Sequence, residues 1–355
     1  MTMPTEPIGS IPRPPELLQA MHDFASGRIS HEVLSGAYET AVTDTLRRFE
    51  ETGSPVITDG EQRKSSFATY PLDGAGNLAP DGVVIPFADG HTRQLPRITA
   101  GPFRYANYSG EFVRKAKPHT SRPLKQAVIS ASALSLLYPQ NGIPGYSQQD
   151  FLNDLINEVE KDIRSAFAAG AQVVQMDFTE ARLSLKLDAS GGLLRNFIQI
   201  NQQVLERFTP VEREKIGVHV CPGGDYDSTH SAEVDYSHLL PTLFELSAGR
   251  YYLQMASESD RKEVLKLVGG LIRPGQKIFI GVTDPIHPRV ETPEEVRDRL
   301  KEASAYIPAA QLGSTDDCGF SPFADDTSTA RDIAFAKIRS RVEGTRLASK
   351  QLGLD

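Results

Sequence analysis

The chain has 355 residues, a net charge of −8, 39% hydrophobic and 24% charged residues, which is the make-up of an ordinary globular protein able to build its own core. Acidic and basic residues are mixed along the chain, which argues against the basic stripe that a nucleic-acid partner needs. No run of about 18 apolar residues offers a membrane span, and the N-terminus lacks the charged-then-apolar layout of a secretory signal, so a cytoplasmic protein is expected.

Strand-like runs and amphipathic stretches alternate along the chain. A short first strand is expected at 8–10, followed by helices over 15–27 and 30–52 and a second strand at 56–58. Residues 73–117 break the rhythm. They are rich in Gly and Pro, with short alternating runs at 83–87 and 93–99, and predict a β-hairpin excursion inserted after the second strand. Six further strands are expected at 127–130, 173–176, 216–219, 251–254, 278–282 and 311–314. Between two of them, 151–169 carries Leu152, Leu155, Ile156, Val159, Ile163 and Phe167 at helical spacing. Thr292, Pro293, Glu294 and Glu295 spell an N-cap, a first-turn proline and an acidic first turn. A last helix is expected over 327–349.

Eight strands alternating with helices predict the α/β class: a single (β/α)8 TIM barrel over 1–355, with 73–117 as an insertion. No GxGxxG follows the first strand and no GxxxxGK[ST] occurs, so the dinucleotide and P-loop folds lack support.

In such a barrel the chemistry gathers at the carboxyl ends of the strands. The fifth strand runs into His219-Val220-Cys221 and the eighth into Asp317-Cys318-Gly319. These are the only two cysteines of the chain. In a reducing compartment a disulfide is not expected, and metal or catalytic roles gain weight. His-x-Cys on an extended segment puts both side chains on one side, because strand side chains alternate. Cys318 can reach the same ion across the barrel mouth. Two thiolates and one imidazole suit zinc and leave an open position. Taken alone, these residues also admit two inert thiols or a redox pair. A zinc ion with two thiolates and a neutral histidine is formally neutral, so a substrate thiol can bind, lose its proton and attack an alkyl carbon. Activation of water by the same ion is the rival use.

At this point the segments match a known family. Ile8-Gly9-Ser10-Ile11-Pro12-Arg13-Pro14, Asp59-Gly60-Glu61-Gln62-Arg63, Gln175-Met176-Asp177, His219-Val220-Cys221 and Asp317-Cys318-Gly319-Phe320 occur in the order and spacing of the catalytic barrel of cobalamin-independent methionine synthase. The chain resembles that barrel over nearly its whole length, and also resembles the smaller epoxyalkane:coenzyme M transferases. The resemblance implies His219, Cys221 and Cys318 as zinc ligands. It implies Ser10, Glu61 and Asp177 as the groups that hold the amino and carboxylate ends of homocysteine, with Asp177 and His287 as catalytic groups.

Three departures stand beside it. Met255 occupies the position of a further glutamate ligand, leaving Glu258, water or nothing for the fourth place. The chain has no tryptophan to stack a folate, with Tyr138 as a substitute. The family's second, N-terminal barrel has no counterpart. The expected activity is a zinc-dependent thiol alkyltransferase, S-methylating a homocysteine-like thiol from an alkyl donor. The alternative is addition of a sulfonated thiol to an epoxide, with Arg13, Arg63 and Arg182 as cations for the sulfonate. A zinc hydrolase with Glu258 or His287 as base, and a noncatalytic zinc- or thiol-binding protein, complete the range. A homo-oligomer is compatible with the sequence, and 73–117 is expected either to cover the site or to form a dimer contact.

Overall fold

A computed structural model describes residues 2–354. In chain order the strands are β1 (Leu78–Ala79), β2 (Val84–Pro86), β3 (Thr92–Gln94), β4 (Arg97–Ile98), β5 (Leu124–Ile129), β6 (Ala171–Asp177), β7 (Ile216–Val220), β8 (Gly224–Asp225), β9 (Ser228–Thr229), β10 (Arg250–Leu253), β11 (Lys277–Gly281) and β12 (Leu312–Thr315). Six of them form one parallel sheet in the order β12-β11-β10-β7-β6-β5. Nearly every residue of these six strands is buried, as expected of parallel strands packed on both faces.

The first two expected strands are reduced to single parallel bridges, Thr5 to Ser314 beside β12 and Ile57 to Leu124 beside β5. Proline explains the shortening: Pro4 and Pro7 flank Thr5, Pro55 precedes Ile57 closely, and none of them has an N–H for a ladder. The ladder is not continuous between these two segments. They are tied instead by Thr58 Oγ1 donating to Gly9 O at 2.7 Å and Ile11 N–H donating to Gly60 O at 3.0 Å. Eight segments thus surround the axis of a (β/α)8 barrel, and the first of them pairs at Thr5 rather than at 8–10.

Helices cover the outside. Gln148–Ala168 turns Phe151, Leu155, Ile156, Val159, Ile163 and Ala166 inward. It starts before the expected residue because Ser147 and Asp150 close a capping box. Thr292 and Glu295 form another at the head of Pro293–Ser304. The last helix, Arg331–Gln351, starts later than expected, because Asp326 first accepts the Ser328 N–H at 3.0 Å in a turn. The end of the barrel away from the strand carboxyl termini is closed by charge rather than aliphatics. Lys125 Nζ stands 3.4 Å over the Tyr252 ring and donates to Pro7 O at 2.7 Å, while Arg250 and the Tyr252 hydroxyl donate to Glu6 at 2.6 and 2.5 Å.

Within 73–117, β1 pairs with β4 and β2 with β3, all antiparallel. The later part is helical. Ser109–Ala116 docks on the barrel wall, where Gly110 N–H donates to Ser165 Oγ at 3.0 Å and Ser109 N–H to Asp162 Oδ1 at 2.5 Å. The β2–β3 hairpin leans across the barrel mouth. There Ala88 N–H donates to Thr229 O of β9 at 2.9 Å.

Candidate metal centre

His219 lies at the end of β7 and Cys221 just beyond it, on the same side of the extended chain. Cys318 follows β12. The ligand atoms of the three lie within 4.8 Å of one another. Cys221 Sγ and Cys318 Sγ are 3.2 Å apart, and both thiols are free. Cys221 is fully buried, whereas Cys318 is partly exposed and lines the cavity above. Each sulfur acts on the other. Their hydrogen bond pushes the Cys221 thiol well up, with burial adding to it, and pulls the Cys318 thiol down. Of the two thiols, Cys318, the sulfur that faces the cavity, is therefore the one that more readily gives up its proton.

The histidine is oriented from both ring nitrogens. Nδ1 lies 3.1 Å from Asp177 Oδ1, and Nε2 lies 3.3 Å from the Asp317 carbonyl. Burial alone would lower the His219 pKa; the hydrogen bond and charge of Asp177 outweigh it and leave the pKa raised. A carboxylate behind an imidazole is a recurrent way of fixing the tautomer of a metal ligand. Gln175 Nε2 holds Asp177 Oδ1 at 2.6 Å from the preceding inward position of β6.

Two backbone features bring the pieces together. Gly223 has φ +69°, and a Cβ there would sit 1.9 Å from His230 Nε2, so only glycine permits the turn after Cys221 and the close approach of His230. Glu61 adopts φ +57°, uncommon for a residue with a side chain. Its N–H is held by Asp59 Oδ1 at 3.0 Å. That strained turn aims its carboxylate at the cavity, where a salt bridge to buried Lys64 at 2.9 Å holds it. Burial raises the Glu61 pKa, and Lys64 opposes the rise.

Ser10, Glu61, Asp177, His219 and Cys318 all line one cavity of about 380 Å³, the size range of small-molecule sites. Its walls are largely apolar, with Phe67, Phe87 and Phe323 among them. Ser10 Oγ accepts the Ser321 N–H at 3.2 Å. His287 is not brought there. It is exposed on the loop after β11, outside the cavity lining, and its Nδ1 accepts the Arg289 N–H at 3.1 Å.

Tyr138 is also outside the lining; it stacks on Phe151 and donates to Tyr146 O at 2.7 Å. Met255 is buried in the core, and its N–H donates to Asp317 Oδ1 at 2.8 Å. Glu258 pairs with Arg182 at 3.3 Å and, among the described residues, is not within the ligand cluster. Of the three arginines expected near a sulfonate, none lines the cavity. Arg13 donates to the carbonyls of Glu61, Lys64 and Phe323 at 2.9, 2.7 and 3.2 Å, Arg182 to Gln254 Oε1 at 2.6 Å, and Arg63 lies over the Tyr38 ring.

Three further residues contribute to the site without a role assigned to them from the sequence. Asp317 accepts Met255, Ala256 and Ser257 N–H groups and the Ser257 hydroxyl, all at 2.7–2.8 Å, and burial pushes its pKa up to about 6. It fixes the loop after β10 against the residue that precedes Cys318. Arg93, on β3, donates to Asp225 Oδ2 at 2.5 Å and to Asp325 Oδ1 at 2.9 Å. It thereby clips together the segments that follow β7 and β12, which carry the two cysteines. Glu180 lines the cavity from the helix Glu180–Leu187. The Asp317 carboxylate is adjacent to a motif residue and was legible in principle. The other two depend on a long-range approach that no spacing announces.

A family model described as "Cobalamin-independent synthase, Catalytic domain" matches residues 3–338. A methionine synthase of Sulfurisphaera tokodaii is 25% identical over 99% of this chain and 94% of its own length. One of Saccharolobus solfataricus is 24% identical over 99% and 96%. Among solved structures, a B12-independent methionine synthase from Shewanella sp. W3-18-1 in complex with selenomethionine superposes with a TM-score of 0.76 at 19% identity, covering both chains fully. On the extent of the family match, this chain belongs to the cobalamin-independent synthase family, of which it forms the catalytic barrel.

Proposed function

We propose that the protein is a zinc-dependent alkyltransferase that methylates a small, homocysteine-like thiol. The observation that carries the reading is the convergence of His219, Cys221 and Cys318, of which His219 and Cys318 line a cavity that also presents Ser10, Glu61 and Asp177. The donor set fits zinc: one imidazole and two thiols, buried, with a carboxylate behind the imidazole. Zinc held by these three residues supplies a Lewis acid that makes a thiol nucleophilic near neutral pH.

The chain's own groups bind and orient the reactants. Asp177 holds the His219 ring and, with Glu61, offers acceptor oxygens to an ammonium group. The Ser10 hydroxyl accepts from Ser321 and keeps its own proton to donate to a carboxylate. The apolar walls leave the alkyl donor a dry approach to the thiol side of the cavity. Relatives of nearly the same length carry the name methionine synthase, which supports methyl transfer on one barrel. Sulfonate recognition loses its expected cations, because Arg13, Arg63 and Arg182 lie outside the lining.

The test is to incubate zinc-loaded protein with homocysteine or a sulfonated thiol, each against a methylcorrinoid, a methylfolate and a short epoxide. Methionine, identified by mass, is expected with one of the methyl donors. A thioether formed only from the sulfonated thiol, or no thioether from any pair, would sink the proposal.

A further inference from the structure

Glu180 is buried at 5% exposure and lines the cavity. Its two oxygens are in different situations. Oε1 receives the Ser130 hydroxyl at 2.6 Å and the Ser132 hydroxyl as well. Oε2 is buried and, among the described residues, has no hydrogen-bond partner. A buried carboxylate oxygen without a donor is costly, and at a cavity wall a bound ligand is one way to satisfy it.

The hydroxyls that hold Oε1 are themselves fixed. Ser132 Oγ accepts from Asn201 Nδ2 at 2.7 Å, and Ser132 N–H donates to Asn201 Oδ1 at 3.1 Å. The carboxylate is thus pinned by one oxygen while the other is left without a donor. Among the described residues, no lysine or arginine is one of its hydrogen-bond or salt-bridge partners, in contrast to Glu61, which has Lys64. The segment that carries the two serines also contributes Ile129, Ala133 and Leu136 to the lining, and the Glu180 helix contributes Leu183. An apolar wall with a pinned carboxylate whose second oxygen lacks a donor selects a ligand with an apolar body and one N–H donor.

We infer that Glu180 is a recognition carboxylate for the alkyl donor, accepting a cationic or polarised N–H group through Oε2 within the apolar part of the cavity. It deepens the alkyltransferase reading and rests on it only for the identity of the ligand as the donor. The Asp177 and Glu61 carboxylates are the competing acceptors in the same cavity.

Benzamidine is a suitable probe, because it joins a flat apolar ring to N–H donors that carry a positive charge; benzamide is the neutral control of the same shape. Calorimetric titration reads binding without turnover, so failure here is distinct from failure of the methyl-transfer assay. Wild-type protein at about pH 8 is expected to prefer benzamidine to benzamide by about ten-fold or more, the size of one charge-assisted hydrogen bond. Glu180→Gln is expected to remove that preference, and Glu180→Asp, which withdraws the carboxylate by one methylene, to reduce it. If Asp177 or Glu61 were the acceptor instead, the preference would fall in Asp177→Asn or Glu61→Gln and stay in Glu180→Gln. The inference is overturned if the wild type shows no preference. It is equally overturned if the preference survives in both Glu180 variants, or vanishes in Asp177→Asn or Glu61→Gln while Glu180→Gln retains it.

Discussion

Cys221 and Cys318 are separated by 97 residues, yet their sulfurs lie 3.2 Å apart. Two sulfurs bound to one tetrahedral zinc, each at about 2.3 Å, stand roughly 3.8 Å apart. A small opening of the pair therefore admits the ion, and Cys318, the more exposed partner, is the side that can move. Cys318→Ser leaves one thiol and one imidazole, too few for tight binding. Bound zinc is expected to fall from about one equivalent to below about 0.2 after dialysis, with the far-ultraviolet dichroism of the barrel unchanged. Full retention of zinc, measured by elemental analysis, would remove the three-ligand centre.

Asp177 faces both the metal centre and the cavity. Asp177→Asn keeps the shape but weakens the grip on His219 Nδ1 and removes the charge offered to an ammonium group. A loss of about 10- to 100-fold in kcat/KM is expected with homocysteine, as for other carboxylates behind metal-bound histidines. A thiol of the same length without the amino group should lose less. Equal losses for the two thiols would confine Asp177 to the histidine. Wild-type kcat/KM with homocysteine would refute both roles.

The parts of this site that were legible in the sequence are those set by local geometry. The His219-Val220-Cys221 spacing works because β7 is extended to Val220 and alternates its side chains. The strand ends were legible because buried parallel strands are apolar throughout. The first barrel segment was misplaced because proline, not hydropathy, decides where it pairs, at Thr5. His287 was suggested by family resemblance, but the loop between Pro285 and Pro288 carries it to the exposed surface. Arg93 and Glu180 could not be found from spacing. The first acts on Asp225 and Asp325, more than 130 residues away, and the second matters for a partner that one of its oxygens lacks.

Arg93 makes the covering hairpin a mechanical part of the site. Its guanidinium meets fully buried Asp225 and the more exposed Asp325, and lies 4.1 Å over the Phe323 ring. Arg93→Ala leaves Asp225 with only His91 Nε2 at 3.0 Å from the hairpin. A stability loss of about 1–3 kcal/mol is expected, read by urea denaturation of the zinc-free protein. The cavity wall formed by Ile85, Phe87 and Leu95 should loosen with it, raising KM for the alkyl donor more than for the thiol. A rise in thiol KM alone would place the hairpin outside the donor side of the cavity.

Glu180 also leaves a signature in stability. Burial raises its pKa from 4.5 to about 7, only partly offset by the Ser130 and Ser132 hydroxyls. The sign follows from proton counting. Between these two pH values the unfolded chain has already released the proton that the folded chain still holds, so folding weakens as pH rises through this window. Complete ionisation corresponds to roughly 3 kcal/mol against the folded state. Glu180→Gln cannot ionise; its amide oxygen can accept the two serine hydroxyls while its NH2 occupies the open position. The variant and wild type should therefore be similarly stable near about pH 5, and the variant more stable by about 3 kcal/mol near about pH 8, as read by urea denaturation. A gap that stays constant with pH, or grows in favour of the wild type, would mean that the carboxylate is ionised and satisfied in the free protein. A residue that costs stability at neutral pH and is nonetheless seated in the cavity wall is what a ligand-binding carboxylate requires.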